Sequence, residues 1–322
     1  MIVTLTANPS FDRTIALSSR LERGGVLRAD AVLEQAGGKG VNISRAANAA
    51  GIPTVAVFPA DADSPFTGEL EHQGIECRPV EPTGPIRVNL TITEPDGTTT
   101  KINSAGAAAD AELLDRLAQT VRERSADAGW VVMAGSLPPD APESWYAELA
   151  QMLHGGSAKV AVDTSDRPLI ALAERLDQAR PDVVKPNAEE LALLTGSDSA
   201  SVEKDPEAAA TAARRLVEGG ANAVLATLGG SGAVLVTADG AWHATPPPIT
   251  VVSTVGAGDS SLFGYVLGDL RGAEPPARLR LAVAYGSAAA SLPGTTLPAP
   301  HQVHPELVTV HSLTAHPRAS SA

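Results

Sequence analysis

A chain of 322 residues with 43% hydrophobic and 19% charged positions has the composition of an ordinary globular enzyme, and it can bury a sizeable core although only ten residues are Phe, Trp or Tyr. Its formal net charge of −13 repels nucleic acid and anionic lipid, so an anionic ligand needs basic groups gathered locally. The single cysteine, Cys77, excludes an intramolecular disulfide and fits a reducing compartment, where it reads as a small apolar filler. The opening MIVTLTANPSFDRT has no basic leader region, and no eighteen uncharged apolar residues run together anywhere. The expectation is a cytoplasmic protein, neither secreted nor membrane-spanning, with no nucleic-acid partner.

In chain order, an apolar run predicts a strand over Ile2–Thr6, and Thr14–Leu33 contributes to a small separate sheet. A helix is predicted from Lys39 to about Ala50, followed by a strand over Thr54–Phe58. Ile86–Thr93 then alternates, turns at Asp96-Gly97 and returns through Thr98–Asn103, a hairpin without a crossover helix. Further strands are expected at Trp130–Ala134, Lys159–Asp163, Asp182–Val184, Ala223–Thr227 and Ala233–Thr237, the last two joined through Gly229-Gly230-Ser231-Gly232 as an antiparallel edge. Strands alternating with helices argue for a parallel sheet covered by helices on both faces. The small sheet, from segments 10–33 and 84–104, would act as a lid that keeps water from a bound substrate, or would be a plain edge decoration. From 312 to 322, ending HPRASSA, a disordered tail is expected.

The stretch Ser253-Thr254-Val255-Gly256-Ala257-Gly258-Asp259-Ser260 precedes an apolar helical pattern through about Leu270. Glycines at a helix start let backbone N–H groups approach an anion, and the helix dipole adds roughly half a positive charge there. Asp259 at the same turn would accept the proton of a substrate hydroxyl, with Gly256, Ala257 and Gly258 holding the transferring group. A capped turn with no ligand would use the same residues. Gly37-Gly38-Lys39-Gly40-Val41-Asn42 opens another helix; its backbone can approach a sugar and Asn42 offers a donor and an acceptor to hydroxyls, although a plain turn would look alike. His72, His154, His243, His301 and His304 show no metal-binding spacing.

Together with Gly135-Ser136-Leu137-Pro138, Val184-Lys185-Pro186-Asn187-Ala188-Glu189-Glu190 and Thr227-Leu228-Gly229, the two glycine motifs resemble the signatures of the PfkB carbohydrate kinase family over nearly the whole chain. The resemblance implies a ribokinase-like α/β fold, one kinase domain over 1–311, and ATP-dependent sugar phosphorylation. Leu5-Thr6-Ala7-Asn8-Pro9-Ser10-Phe11-Asp12, the lysine within Gly37–Gly40 and the hairpin ending Thr100-Lys101-Ile102-Asn103 are most similar to 1-phosphofructokinases and tagatose-6-phosphate kinases. Fructose 1-phosphate is therefore the first-choice acceptor, with tagatose 6-phosphate, fructose 6-phosphate or a non-catalytic sugar-phosphate sensor as alternatives.

Carried over by position, the resemblance puts Asp12, Gly37, Gly38 and Asn42 on the sugar, and Arg28, Arg87, Lys39 and Lys101 at the sugar phosphate, with Ser136 also on the substrate. It puts Lys185, Asn187, Thr227, Gly229, Gly232, Gly256 and Gly258 on the nucleotide. Asn187 and Glu190 would hold Mg²⁺ through water, and Ser253, Val255, Ala289 and Gly294 match places that in some relatives surround a monovalent cation such as K⁺. Lids in this family often pair, so a homodimer is expected. Two departures bear on lid closure and sugar preference: Asp61 stands where the first signature expects glycine, and Ser104-Ala105-Gly106-Ala107 replaces a Glu-Pro-Gly-Pro-like turn.

Overall fold

The computed structural model describes residues 1–294 and 296–313. Strand β1 (Ile2–Leu5) leads straight into β2 (Ser10–Leu17) and β3 (Ala29–Gly37), and helix α1 (Lys39–Ala49) carries the chain back to β4 (Thr54–Pro59). Helix α2 (Pro65–His72) and β5 (Glu76–Val80) follow, then the hairpin of β6 (Arg87–Thr93) and β7 (Thr99–Ile102). The alternating part comprises α3 (Ala111–Ser125), β8 (Trp130–Ala134), α4 (Trp145–Leu153), β9 (Lys159–Asp163), α5 (Asp166–Ala173), α6 (Leu176–Ala179) and β10 (Val183–Val184). It continues through α7 (Ala188–Thr195), α8 (Ser199–Lys204), α9 (Pro206–Gly219) and β11 (Ala223–Thr227). Strands β12 (Ala233–Thr237), β13 (Gly240–Thr245) and β14 (Thr309–Leu313) form the antiparallel edge, with α10 (Ala257–Leu270) and α11 (Pro275–Ala290) inserted before β14.

Ten strands make the main sheet in the order β14-β13-β12-β11-β10-β9-β8-β1-β4-β5, parallel from β5 through β11. The period of two along each strand sends alternate side chains to opposite faces. In β8, Val131 and Met133 join the core that includes α3, α4 and α9, whereas Trp130, Val132 and Ala134 join the core on the other face, with α1, α10 and α11. Both faces are thus dry, which explains why these strands read as continuous apolar runs. The expected α/β architecture with a mostly parallel sheet, helices on both faces and a small second sheet is what the chain forms.

The small sheet has the order β3-β2-β6-β7. Its strands reach further than the predicted 10–33, because Gly37 pairs with Ser10 and so brings the glycine turn to the root of the lid. Strand β10 is shorter than predicted: Pro181 and Pro186 bracket it, and neither can donate to a ladder. The tail also starts later than 312, since Ser312 pairs with Trp242 and Leu313 with Ala241 in β14. The remainder of the expected tail, 314–322, lies outside the described residues. Among the described residues no helix is long and apolar enough to cross a membrane.

Candidate active site

Parallel strands connected by right-handed crossovers deliver their C-terminal ends to one edge, and the order reverses beside β1, where an open α/β sheet leaves a crevice. Asn8 after β1, Ser136 after β8, Asp163 at the end of β9 and Lys185 after β10 all emerge there. The lid rises from the same edge because β2 begins at Ser10.

Asp259 stands in the first turn of α10, whose N-cap Gly256 adopts φ +77°, a left-handed conformation that suits glycine. Asp259 is 6% exposed, and its Oδ2 accepts a hydrogen bond from Asn42 Nδ2 at 2.9 Å. Asn42 sits in the first turn of α1, so two helix N-termini from distant parts of the chain meet face to face. Burial, with the Asp163 charge adding to it, pushes the Asp259 carboxyl up to about 6 against the opposing pull of Lys39, Asn42 and Lys185. A carboxylate tuned to that range is a competent general base near neutral pH.

Beside it lies an ion cluster in which Asp163 and Lys185 are buried and Lys39 is 36% exposed. Asp163 Oδ1 accepts from Lys39 Nζ at 2.8 Å, and Lys185 Nζ stands 3.1 Å from Oδ2 as an ion pair outside hydrogen-bonding geometry. Burial works against the Asp163 carboxylate, but Lys185 and Lys39 overcome it and hold its pKa below the usual carboxylate value. Burial likewise opposes the Lys39 ammonium, yet Asp163 and then Asp259 hold its pKa above the ordinary lysine value. Lys185 Nζ is 3.3 Å from where a Cβ on Gly258 would stand. An ammonium set against a helix N-terminus adds positive potential to positive potential, the electrostatics of a polyanion site.

On the lid side, Asp12 Oδ1 accepts from Ser10 Oγ at 2.8 Å and from Asn89 Nδ2 at 3.2 Å. Arg87 donates to Ser104 O and Asn8 O, both at 3.0 Å, and to Ser136 Oγ at 3.2 Å, while its Nε is buried without an acceptor. Burial lowers the Arg87 pKa. A small cleft bounded by Asn8, Pro59, Ile86, Arg87 and Pro138 lies beside this arginine, not beside Asp259. The structure therefore gathers Asp12, Gly37, Gly38, Asn42, Arg87 and Ser136 around one edge.

Other predicted residues fall elsewhere. Arg28 is exposed ahead of β3, nine residues from Gly37 along an extended strand, roughly 30 Å away. Lys101 is exposed on the edge strand β7. Asn187 and Glu190 form a reciprocal capping box on α7, each side chain bonded at 2.8 Å to the other's backbone N–H. Glu190 keeps Oε1 unbonded among the described residues, and its charge reaches Lys39. Thr227 ends β11, and Gly229 opens the 3₁₀ turn Gly229–Ser231 that precedes Gly232. At the adjacent corner Ser253 Oγ donates to Gly294 O at 2.9 Å and accepts from Val255 N at 3.2 Å, while Ala289 O is taken by Leu292 N at 3.0 Å. Cys77 is buried, and burial pushes its thiol up to about 12, so it is not a nucleophile.

Asp163, Asn89 and Tyr146 escaped sequence reasoning. Asp163 alone carried a legible signal: a carboxylate closing the apolar strand Lys159–Asp163 stands at the strand end where α/β sheets place their ligands.

Residues 5–302 match the model of the pfkB family carbohydrate kinases. The chain is 34% identical over 307 residues to the 1-phosphofructokinase of Rhodobacter capsulatus, covering 94% of each sequence. It also superposes on phosphofructokinase-2 from Escherichia coli, both in complex with potassium, with a TM-score of 0.85, and in complex with substrates and products, with a TM-score of 0.84. In both cases identity is 30%, covering 94% of this chain and 96% of the other. A family match across the length of the fold, joined to a buried carboxylate at the N-terminus of α10 facing the glycine turn of α1, means that the chain belongs to the pfkB family of carbohydrate kinases.

Proposed function

We propose that this chain transfers the γ-phosphoryl group of ATP to a hydroxymethyl oxygen of fructose 1-phosphate, giving fructose 1,6-bisphosphate and ADP. The observation that carries the reading is Asp259, buried, raised to about 6 and flanked by two ammoniums at the tip of α10. As the substrate oxygen attacks phosphorus, Asp259 takes the hydroxyl proton, the new O–P bond forms, and the bond to the β-phosphate oxygen breaks. Backbone N–H groups at Gly256, Ala257 and Gly258 stabilise the developing charge, and Lys185 neutralises the nucleotide phosphates. Asp12, Gly38 and Asn42 hold the sugar. Arg87, whose Nε lacks an acceptor, and Ser136 take the 1-phosphate, for which a planar guanidinium fork is well suited. Thr227, Gly229 and Gly232 border the nucleotide.

Asn187 and Glu190 supply oxygen donors that fit a hard divalent cation, Mg²⁺ in this reading, which they would hold through water. Such an ion, when bound, withdraws charge from the phosphate oxygens. The carbonyls and hydroxyl around Ser253, Val255, Ala289 and Gly294 suit a monovalent cation, a role supported by the potassium complex of the Escherichia coli relative. Exchange of potassium for sodium in the assay should then lower activity, and equal rates in both salts exclude the ion.

The test of the reaction is kcat/KM for fructose 1-phosphate, fructose 6-phosphate, tagatose 6-phosphate and ribose, with Asp259→Asn as control. Fructose 1-phosphate should lead, and Asn at 259 should lower kcat by on the order of 10²–10⁴. Near-normal turnover in that variant defeats the assignment of the base, and a better sugar defeats the assignment of the acceptor.

A further inference from the structure

Two ammoniums and two carboxylates lie together, with Asp163, Asp259 and Lys185 buried and Lys39 partly exposed, and the way they pair is uneven. Lys39 opens α1, and one turn later Asn42 holds Asp259 Oδ2 at 2.9 Å, so Lys39 and the base face the same helix turn. Yet Lys39 Nζ bonds Asp163 Oδ1, at 2.8 Å. Lys185 Nζ lies beside Gly258, the residue preceding the base, and yet it too pairs with Asp163, at 3.1 Å. Asp259 Oδ1 accepts no hydrogen bond among the described residues.

We propose that Asp163 is a positioning residue: its buried carboxylate captures the ammoniums of Lys39 and Lys185 and so keeps both from pairing with Asp259. The proposal rests on the reading of Asp259 as base. A lysine in direct contact would occupy the lone pair that must take the substrate proton, and an opposite charge that close lowers a carboxylate pKa by roughly one to three units. Captured by Asp163, the ammoniums stay available to phosphate oxygens and leave Asp259 basic. The charged or polar groups facing Asp259 are Lys39 and Asn42 from α1, Asp163 from β9 and Lys185 after β10. Asp163 faces the two lysines and, from α4, the buried Tyr146 hydroxyl.

Two variants test the capture through the acid limb of the kcat–pH profile, compared with the native enzyme so that substrate titration cancels. Asp163→Asn keeps the shape, frees both ammoniums, and should move the limb to lower pH by roughly one unit or more while raising KM for ATP. Lys39→Met removes a cation and leaves Asp163 in place, and should move the limb to higher pH. Opposite displacements are expected. Because Asp163 also acts on Asp259 directly through its charge, the signature of capture is a larger upward displacement from Lys39→Met in the Asp163→Asn background than in the native one. An equal displacement in both backgrounds overturns the proposal. An unmoved limb in Asp163→Asn, even with a lowered kcat, leaves Asp163 a purely structural residue and overturns the proposal; so do displacements of the same sign. If Asp163→Asn does not fold, Lys39→Met decides alone, with an unmoved limb overturning it. Failure of the base itself is seen separately, as retained turnover in Asp259→Asn.

Discussion

Asp259 carries a stability cost that its burial imposes. Its carboxyl binds a proton more tightly in the folded protein, at about 6, than in an unfolded chain, at 3.8. The folded state therefore binds more protons between those values, and its stability falls as pH rises through them. A shift of about two units corresponds to on the order of 3 kcal/mol, a cost absent below pH ~4 and complete above pH ~6. Asp259→Asn should accordingly melt at a higher temperature than the native protein at pH 8, with the gap closing by pH 4 in calorimetry. Arg87 makes a different residue-scale prediction. It joins Asn8, Ser104 and Ser136 in one contact set, and Arg87→Ala should weaken a phosphorylated sugar by at least about tenfold while changing an unphosphorylated analogue far less, as read by KM. Equal losses for both sugars remove Arg87 from the phosphate.

At the scale of elements, the glycine turn between β3 and α1 is where lid and sheet are joined. A Cβ on Gly37 would lie 2.3 Å from Asp12 Oδ2, and Gly38 combines φ +122° with a Cβ position 2.5 Å from Thr6 Cγ2. Both positions need a missing side chain, the first so that the Asp12 carboxylate can lie on the backbone and the second so that α1 can start against β1. Gly37→Ala should push Asp12 out of place and raise KM for the sugar several-fold with KM for ATP unchanged. Helix α7 begins with a reciprocal capping box, in which Asn187 and Glu190 satisfy two backbone donors and fix the Glu190 carboxylate in place.

For the whole molecule, the lid is an open four-stranded sheet whose edges are β3 and β7, with Val32 60%, Leu33 64% and Ile102 52% exposed. Exposed edge strands carrying apolar residues seek a partner. We infer a homodimer formed through the lid; Leu33→Glu should then give a monomer in light scattering at concentrations where the native chain is a dimer. A native chain that is already monomeric removes the pairing. With a net charge of −13, the chain repels an anionic ligand overall, so Lys39, Lys185 and Arg87 act as local positive groups against that field.

By itself the sequence determined the alternation of strands and helices, the start of α10 at the glycine nest, and the family, because backbone preferences and burial periodicity are local and leave their mark on neighbouring residues. Strand limits at Trp130–Ala134, Lys159–Asp163 and Ala223–Thr227 could be read directly for this reason. Only the tertiary structure decided that Asn42 would meet Asp259 across 217 positions, that Asp163 would hold both lysines, and that Arg28 would stand at the far end of the lid. Those contacts depend on which strand ends a crossover topology brings together and on how charges pair once water has been excluded, and neither is written in the spacing of residues along the chain.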